Sequence, residues 1–324
     1  MGLITQNLTK KYGKLTAVDS LNIEVENGEI FGLLGPNGAG KTTTLSMLCC
    51  IIDATSGTAK INGFDIKTQK AQVRRSIGIV FQQPSVDDLL TAKENLELHC
   101  MLYGVEQNVR QKRIAEAFSL VELEERKNDL VKTYSGGMRK RLEIARALIH
   151  RPSVLFLDEP TTGLDPQTRE HMWSYIERLA AEVQMTVVLT THYMEEADAL
   201  SDRVCIIDHG KKIALENPEK LKAQMGGDVV YVQAKTIDEK KVKALSFVRS
   251  IKKQDGKFAI TMKDAGKNLQ KLLGKIGAVE SVDVHPASLN DVFIKYTGKS
   301  IREEEAAGDY WTCLLYTSPS PRDS

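Results

Sequence analysis

Apolar positions along this chain come in two periods. Residues 29–34, 153–157 and 186–190 are short, mainly apolar runs, the mark of strands buried on both faces in a parallel sheet. Residues 15–27 instead alternate, with Leu21, Ile23 and Val25 on one side. That pattern predicts a half-buried strand, which together with 57–66 fits an antiparallel sheet flanking the core. Helix-period segments fill the gaps. One covers 41–52. Thr91-Ala92-Lys93-Glu94 is a capping box opening a second helix through Leu102. Others cover 108–121 and 139–149, so about 84–150 reads as a helical insertion between core strands. Asn217-Pro218-Glu219 and Gly226-Gly227 punctuate the end of a first unit, 1–225.

A second unit, 228–300, has its own order. Strands are predicted at 229–234, 247–252, 257–262 and 279–284, with a turn at Asp255-Gly256. Helices are predicted at 237–245 and 266–275. The order βαββαβ is that of a small ferredoxin-like sandwich. A last helix fits Leu289–Tyr296. The fold class is therefore α/β: a mixed sheet core with an antiparallel β subdomain and a helical subdomain, followed by a small α+β domain.

Chemistry enters at the end of the first apolar run. Gly35-Pro36-Asn37-Gly38-Ala39-Gly40-Lys41-Thr42 lies between a strand and a helix, the context of a P-loop. Gly35, Gly38 and Gly40 let successive backbone N–H groups face phosphate oxygens, beside the positive end of a helix. Lys41 reaches the β- and γ-phosphates, and the Thr42 hydroxyl ligates Mg²⁺. Asp158 follows the run 153–157 and can orient Mg²⁺ or its waters. Glu159, next in sequence, can polarise an attacking water as general base.

Ser135-Gly136-Gly137-Met138 opens a helix shortly before this Asp-Glu pair. With it, residues 1–225 resemble the nucleotide-binding subunits of ABC transporters. The form Tyr134-Ser135-Gly136-Gly137-Met138-Arg139, and Ala287-Ser288-Leu289-Asn290-Asp291-Val292-Phe293 further on, resemble the daunorubicin-resistance type of exporter ATPase. The resemblance implies an ATP site shared between two chains. Asn37 and Thr43 join the cradle, and Tyr12 stacks on adenine. Gln82 of Phe81-Gln82-Gln83-Pro84 is the Q-loop glutamine, sensing Mg²⁺ and water. Ser135, Gly136 and Gly137 face the γ-phosphate held by the opposite subunit's Lys41, Asp165 touches the opposite subunit, and His192 contacts the γ-phosphate. The other histidines show no ligand spacing.

The resemblance further implies an ATPase using ATP and Mg²⁺, working as a homodimer or paired subunit. It implies a separate membrane permease and a place on the cytoplasmic face of the membrane. A soluble ABC ATPase acting on ribosomes or nucleic acid, and an importer subunit, are the rival readings. The cargo is not written in these residues.

Composition narrows the field further. With 44 basic against 43 acidic residues, no nucleic-acid surface is expected. Arg139-Lys140-Arg141 therefore reads as a solvated helix face. No stretch of eighteen apolar residues is present to span a bilayer, and no signal pattern opens the chain. The cysteines show no disulfide or metal spacing, and Cys49 and Cys50 are placed on the first helix as reduced core residues. Residues 301–312 form an acidic stretch. Residues 313–323 back-translate to TGTCTCTTATACACATCT followed by CCGAGCCCACGAGAC, which resembles a sequencing adapter read as gene. Residues 313–324 are expected to be disordered and to take no part in the fold.

Overall fold

The computed structural model describes residues 2–234, 237–254 and 257–297. The stretches 301–312 and 313–324 and the turn at Asp255-Gly256 lie outside them.

An antiparallel sheet opens the chain. It holds β1 (Leu3–Tyr12), β2 (Leu15–Leu21), β3 (Glu24–Val25), β5 (Ser56–Ile61) and β6 (Phe64–Asp65), in the order β2-β1-β5-β6 with β3 on β1. The predicted single strand 57–66 is split, because Asn62 and Gly63 both take positive φ and turn the chain back.

The central sheet holds β4 (Ile30–Leu34), β7 (Ile77–Val80), β8 (Val154–Asp158), β9 (Thr186–Thr191), β10 (Arg203–Asp208) and β11 (Lys211–Glu216). Its order is β11-β10-β4-β9-β8-β7, and every pair is parallel except β10–β11. β4, β8 and β9 are buried at every residue, as mainly apolar strands in a parallel sheet must be. Their carboxyl ends open on one edge, where ligands bind in such sheets.

Between the two sheets lie α1 (Lys41–Leu48) and α2 (Lys70–Ser76). α1 is shorter than the periodicity predicts. Cys50 takes φ 57°, so Cys49 and Cys50 lie just past the helix and not on it. Both are free and buried.

The helical lobe holds α3 (Ala92–Leu102), α4 (Gln107–Leu120) and α5 (Gly136–Leu148). Thr91 and Glu94 form the reciprocal capping box on α3. α6 (Pro166–Val183) and α7 (Met194–Leu200) follow β8 and β9. The lobe is not a separate body. One core runs from Leu96, Phe118 and Leu142 to Leu155, Tyr175 and Leu189.

After α8 (Pro218–Ala223) come β12 (Asp228–Gln233), α9 (Glu239–Lys243), β13 (Val248–Gln254), β14 (Lys257–Met262), α10 (Ala265–Ile276) and β15 (Ser281–His285). The sheet order β13-β14-β12-β15, all antiparallel, is ferredoxin-like. Val230, Val232, Ile260 and Leu272 fill its core. The final helix, α11 (Leu289–Thr297), leaves this sandwich. Its Leu289, Val292 and Phe293 pack with Leu34, Met194, Ala197, Ile206 and Leu221.

Candidate active site

The loop between β4 and α1 gets its shape from glycine. Gly38 and Gly40 have φ of 78° and 101°. A Cβ on Gly40 would stand 2.4 Å from the Ala17 carbonyl oxygen, so no larger residue fits. The loop is pinned on both sides, by Gly35 N–H donating to Thr191 O (3.2 Å) and Gly210 N–H donating to Ala39 O (3.0 Å).

Lys41 is buried at the start of α1. Its Nζ donates to the carbonyls of Gly35 (2.8 Å) and Pro36 (3.1 Å) and lies 3.3 Å from Glu159 Oε1. Burial pulls its pKa below the usual lysine value, with Glu159 and then Asp158 opposing.

Asp158 is the last residue of β8, and Glu159 follows with φ 46°. This left-handed turn is unusual for a glutamate, and the Glu159 N–H bonds to both Thr190 O and Thr190 Oγ1 (3.1 Å each). Around the Glu159 carboxylate stand Lys41, the donors Gln82 Nε2 (3.3 Å) and Thr162 Oγ1 (3.2 Å), and His192 Nδ1 at 3.2 Å from Oε1. At that distance His192 draws the Glu159 carboxyl towards its charged form. Burial alone would raise the Glu159 pKa. The His192 nitrogen and the Lys41 ammonium overcome it and hold the carboxyl at about 2.

Asp158 accepts from Thr190 Oγ1 (2.6 Å) and Thr42 Oγ1 (3.2 Å). Its pKa is raised, because burial outweighs those hydroxyls. Two carboxylates adjacent in sequence are thus set differently. Glu159 is firmly ionised, while Asp158 depends on its hydroxyl donors and gains from an added cation.

Lys41, Thr42, Gln82, Asp158, Glu159 and His192 therefore form one cluster at the carboxyl edge of the central sheet. Gly35, Asn37, Gly38, Gly40 and Thr43 belong to the adjoining loop and helix start; Asn37 is exposed. Three other motif positions stand apart from the cluster within a single chain. Tyr12 ends β1 half-exposed, with Lys10 Nζ 5.0 Å from its ring centre. Ser135 caps α5, its Oγ accepting from Met138 N–H (3.3 Å), with Gly136 and Gly137 as the first helical residues. Asp165 caps α6 through Thr168 N–H (3.0 Å) and Thr168 Oγ1 (2.6 Å).

Sequence reading passed over Thr190, whose hydroxyl holds Asp158 and the Glu159 amide together. Its only signal is its place two residues before His192, at the end of an apolar run. The basic run is a correction. Arg139, Lys140 and Arg141 are not a solvated face. Arg139 pairs with Asp88 (2.8 Å), Lys140 donates to Phe81 O (2.9 Å), and Arg141 donates to Val121 O (3.1 Å). Loops from elsewhere in the chain fold over this side of α5, which helical periodicity alone does not reveal.

Known proteins with this architecture agree on its chemistry. Residues 18–162 match the ABC transporter family, and residues 217–297 match the family described as ATP-binding protein DrrA1-3-like, C-terminal domain. The linearmycin resistance ATP-binding protein LnrL of Bacillus subtilis is 37% identical, over 93% of this chain and 100% of that protein. The daunorubicin/doxorubicin resistance ATP-binding protein DrrA of Streptomyces peucetius is 37% identical, over 94% and 95%. Among solved structures, the dimeric post-hydrolysis state of the ATP-binding cassette MJ0796 with ADP and Pi is similar with TM-score 0.59. It is 32% identical, over 66% of this chain and 98% of that one. CbiO1 of Clostridium perfringens, part of the ABC transporter complex cbiONQ, gives TM-score 0.64 at 27% identity, over 68% and 90%. A P-loop joined to a buried Asp-Glu pair and a serine-capped signature helix, followed by a DrrA-type C-terminal domain, makes this chain an ATP-hydrolysing, ATP-binding protein of the ABC transporter family.

Proposed function

We propose that this chain is the motor subunit of an exporter, with two copies closing head-to-tail on two ATP molecules to drive a separate membrane permease. The ATPase would lie in the cytoplasm, on the inner face of the membrane. Its cargo would be a drug, a lipid or another small molecule. Relatives named for linearmycin resistance, daunorubicin resistance and Nod factor export support the export direction.

The observation that carries the need for a permease is a set of exposed apolar side chains on α3 and the loop leading into it. Leu98, Met101 and Leu102 are exposed on α3, and Leu89 in the loop before it. Apolar side chains grouped like this mark an interface. Among the described residues no helix is long and apolar enough to cross a membrane. A soluble ribosome-acting ATPase has no such observation in its favour, and export rather than import is supported by the relatives' names.

Within the site, Lys41 and the loop N–H groups would bind the β- and γ-phosphates, and Glu159 would take the proton of the attacking water. Tyr12 would stack on adenine. The partner subunit's signature turn, equivalent to Ser135, Gly136 and Gly137, would complete the γ-phosphate site, with Asp165 at the subunit boundary. His192, already beside Glu159, would hold the γ-phosphate. Thr42, Asp158 and Gln82 supply hard oxygen donors suited to Mg²⁺, which keeps waters and substrate oxygens as its other ligands. When bound, it neutralises phosphate charge.

The test has two parts. Glu159→Gln should bind ATP, hydrolyse it at a small fraction of the wild-type rate, and elute as a dimer only with ATP. Retained turnover would assign the base elsewhere. Leu98→Asp/Leu102→Asp should keep basal ATPase activity but release the chain from the membranes of its source cell. A double variant still bound to membranes would remove α3 from the docking surface.

A further inference from the structure

One side of α5 carries three charged residues, Lys140, Glu143 and Arg146, spaced about a turn apart. Glu143 is 1% exposed, and the Lys140 side chain is 10% exposed. All three hold the segment that leaves β7 and carries Gln82. Lys140 Nζ donates to Phe81 O at 2.9 Å. Ser85 N–H and Ser85 Oγ both donate to Glu143 Oε1, at 2.5 and 3.3 Å. Arg146 Nη1 donates to Ser85 O at 2.8 Å, and Arg146 Nη2 donates to Ser85 Oγ. Every polar group of Ser85 is thus taken by α5. Lys140 and Glu143 also lie 3.9 Å apart and offset each other's charge.

Between the two grips, Gln82, Gln83 and Pro84 are exposed. Apolar packing therefore does little to fix this loop, and the hydrogen bonds to α5 do most of it. The same helix begins at Ser135, the proposed contact to the opposite nucleotide.

We propose that Glu143, supported by Lys140 and Arg146, is a positioning residue for ATP hydrolysis: it clamps residues 81–85 to α5, so that Gln82 and the Ser135 end of α5 move as one body. The proposal rests on the reading of Gln82 as part of the hydrolytic site. A carboxylate is well suited to the task because it can accept from both Ser85 donors while balancing a buried ammonium. Without it, the Ser85 amide and hydroxyl lose their shared acceptor, and Lys140 loses its compensating charge.

The experiment compares Glu143→Ala, Glu143→Gln, Gln82→Ala and the double variant Gln82→Ala/Glu143→Ala, in the full chain. Glu143→Ala should lower kcat roughly tenfold, the scale seen when a residue supporting a site is removed, with KM for ATP held within about twofold. Glu143→Gln keeps an acceptor oxygen for Ser85 and should recover most of the turnover. The double variant should be no slower than Gln82→Ala, because Glu143 acts through Gln82. Amide hydrogen exchange at Ser85 should accelerate in Glu143→Ala and stay slow in Glu143→Gln, a readout that needs no turnover. Unchanged exchange in Glu143→Ala overturns the clamp. Additive losses of kcat in the double variant overturn the positioning role while leaving Gln82 its own. Wild-type turnover in Gln82→Ala sinks the reading of Gln82, and the positioning role falls with it.

Discussion

Replacing Thr190 by Val removes a single oxygen from the center of the site and preserves its shape. Thr190 is wholly buried, so no water substitutes for the lost hydroxyl. Two bonds depend on that oxygen, but they are not equal. The Glu159 amide keeps the Thr190 carbonyl at 3.1 Å, so little is lost there. The 2.6 Å bond to Asp158 has no replacement among the described residues, where Asp158 keeps Thr42 at 3.2 Å. A hydrogen bond to a charged group contributes about 1.5–3 kcal/mol, so Thr190→Val should destabilise the chain by about 2 kcal/mol. In thermal unfolding that is a fall of about 4–8 °C for a unit of this size.

The effect should depend on pH in a fixed direction. Burial already holds the Asp158 pKa above its ordinary value of 3.8. Losing the Thr190 donor raises it further. A carboxyl whose folded pKa is raised stabilises at low pH and loses that contribution as pH rises through the folded value. The deficit of Thr190→Val should therefore be largest at neutral pH. It should shrink in acid towards the roughly 1 kcal/mol of a neutral hydrogen bond. Equilibrium denaturation from pH 4 to pH 8 measures it, with Thr190→Ser as the control that keeps the hydroxyl. Wild-type stability of Thr190→Val at neutral pH, a deficit that grows in acid, or equal damage in Thr190→Ser would each rule out this role for the Thr190 hydroxyl. The Mg²⁺ concentration for half-maximal ATPase activity should also rise roughly tenfold, since Thr190 orients a carboxylate assigned to the metal.

Other expectations follow from the same geometry. Gly40→Ala should lose nucleotide binding and destabilise by at least about 2 kcal/mol, because φ of 101° and the Ala17 carbonyl both oppose a Cβ; unaltered ATP affinity by calorimetry would contradict this. Glu159, with its pKa drawn from 4.5 to about 2, stabilises above pH 4.5 and loses that contribution as pH falls towards 2. The stability gap between wild type and Glu159→Gln should therefore close over that interval, and a gap that widens in acid would refute the attraction of His192 and Lys41 for Glu159. Phe293→Ala should destabilise by about 3–5 kcal/mol, as a truncated core aromatic does. Limited proteolysis should then cut first near α11, and protection equal to wild type would show that the helix is held by something else.

Much of this architecture can be read from residue pattern alone. Mainly apolar runs identify β4, β8 and β9, and the glycine spacing before Lys41 identifies the loop, because Gly38 and Gly40 occupy backbone conformations that other residues resist. The order of predicted strands and helices over 228–300 leads to the ferredoxin-like sandwich. What escapes is whatever depends on a distant neighbour. Cys50 ends α1 in a left-handed turn without a glycine to announce it. Arg139, Lys140 and Arg141 look like a solvated face until loops near residues 81–88 and 121 fold over them. Thr190 looks like any β-branched strand residue until Asp158 arrives from β8. Leu289, Val292 and Phe293 announce an amphipathic helix but not the unit on which it packs.

That last helix has a consequence for how the chain is made. Leu34 lies at the end of the strand entering the nucleotide loop, and it shares a core with Phe293, more than 250 residues later. On the ribosome, the strands of the ATPase unit emerge long before the side chains that cover them. Until α11 has cleared the exit tunnel, Met194, Ala197, Ile206 and Leu221 lack the packing of Leu289, Val292 and Phe293. The nascent chain therefore carries an apolar patch through the whole synthesis of the ferredoxin-like unit, the period in which such surfaces recruit chaperones or aggregate. Slow translation across residues 228–288 lengthens that exposure, and a cassette expressed without α11 keeps it permanently.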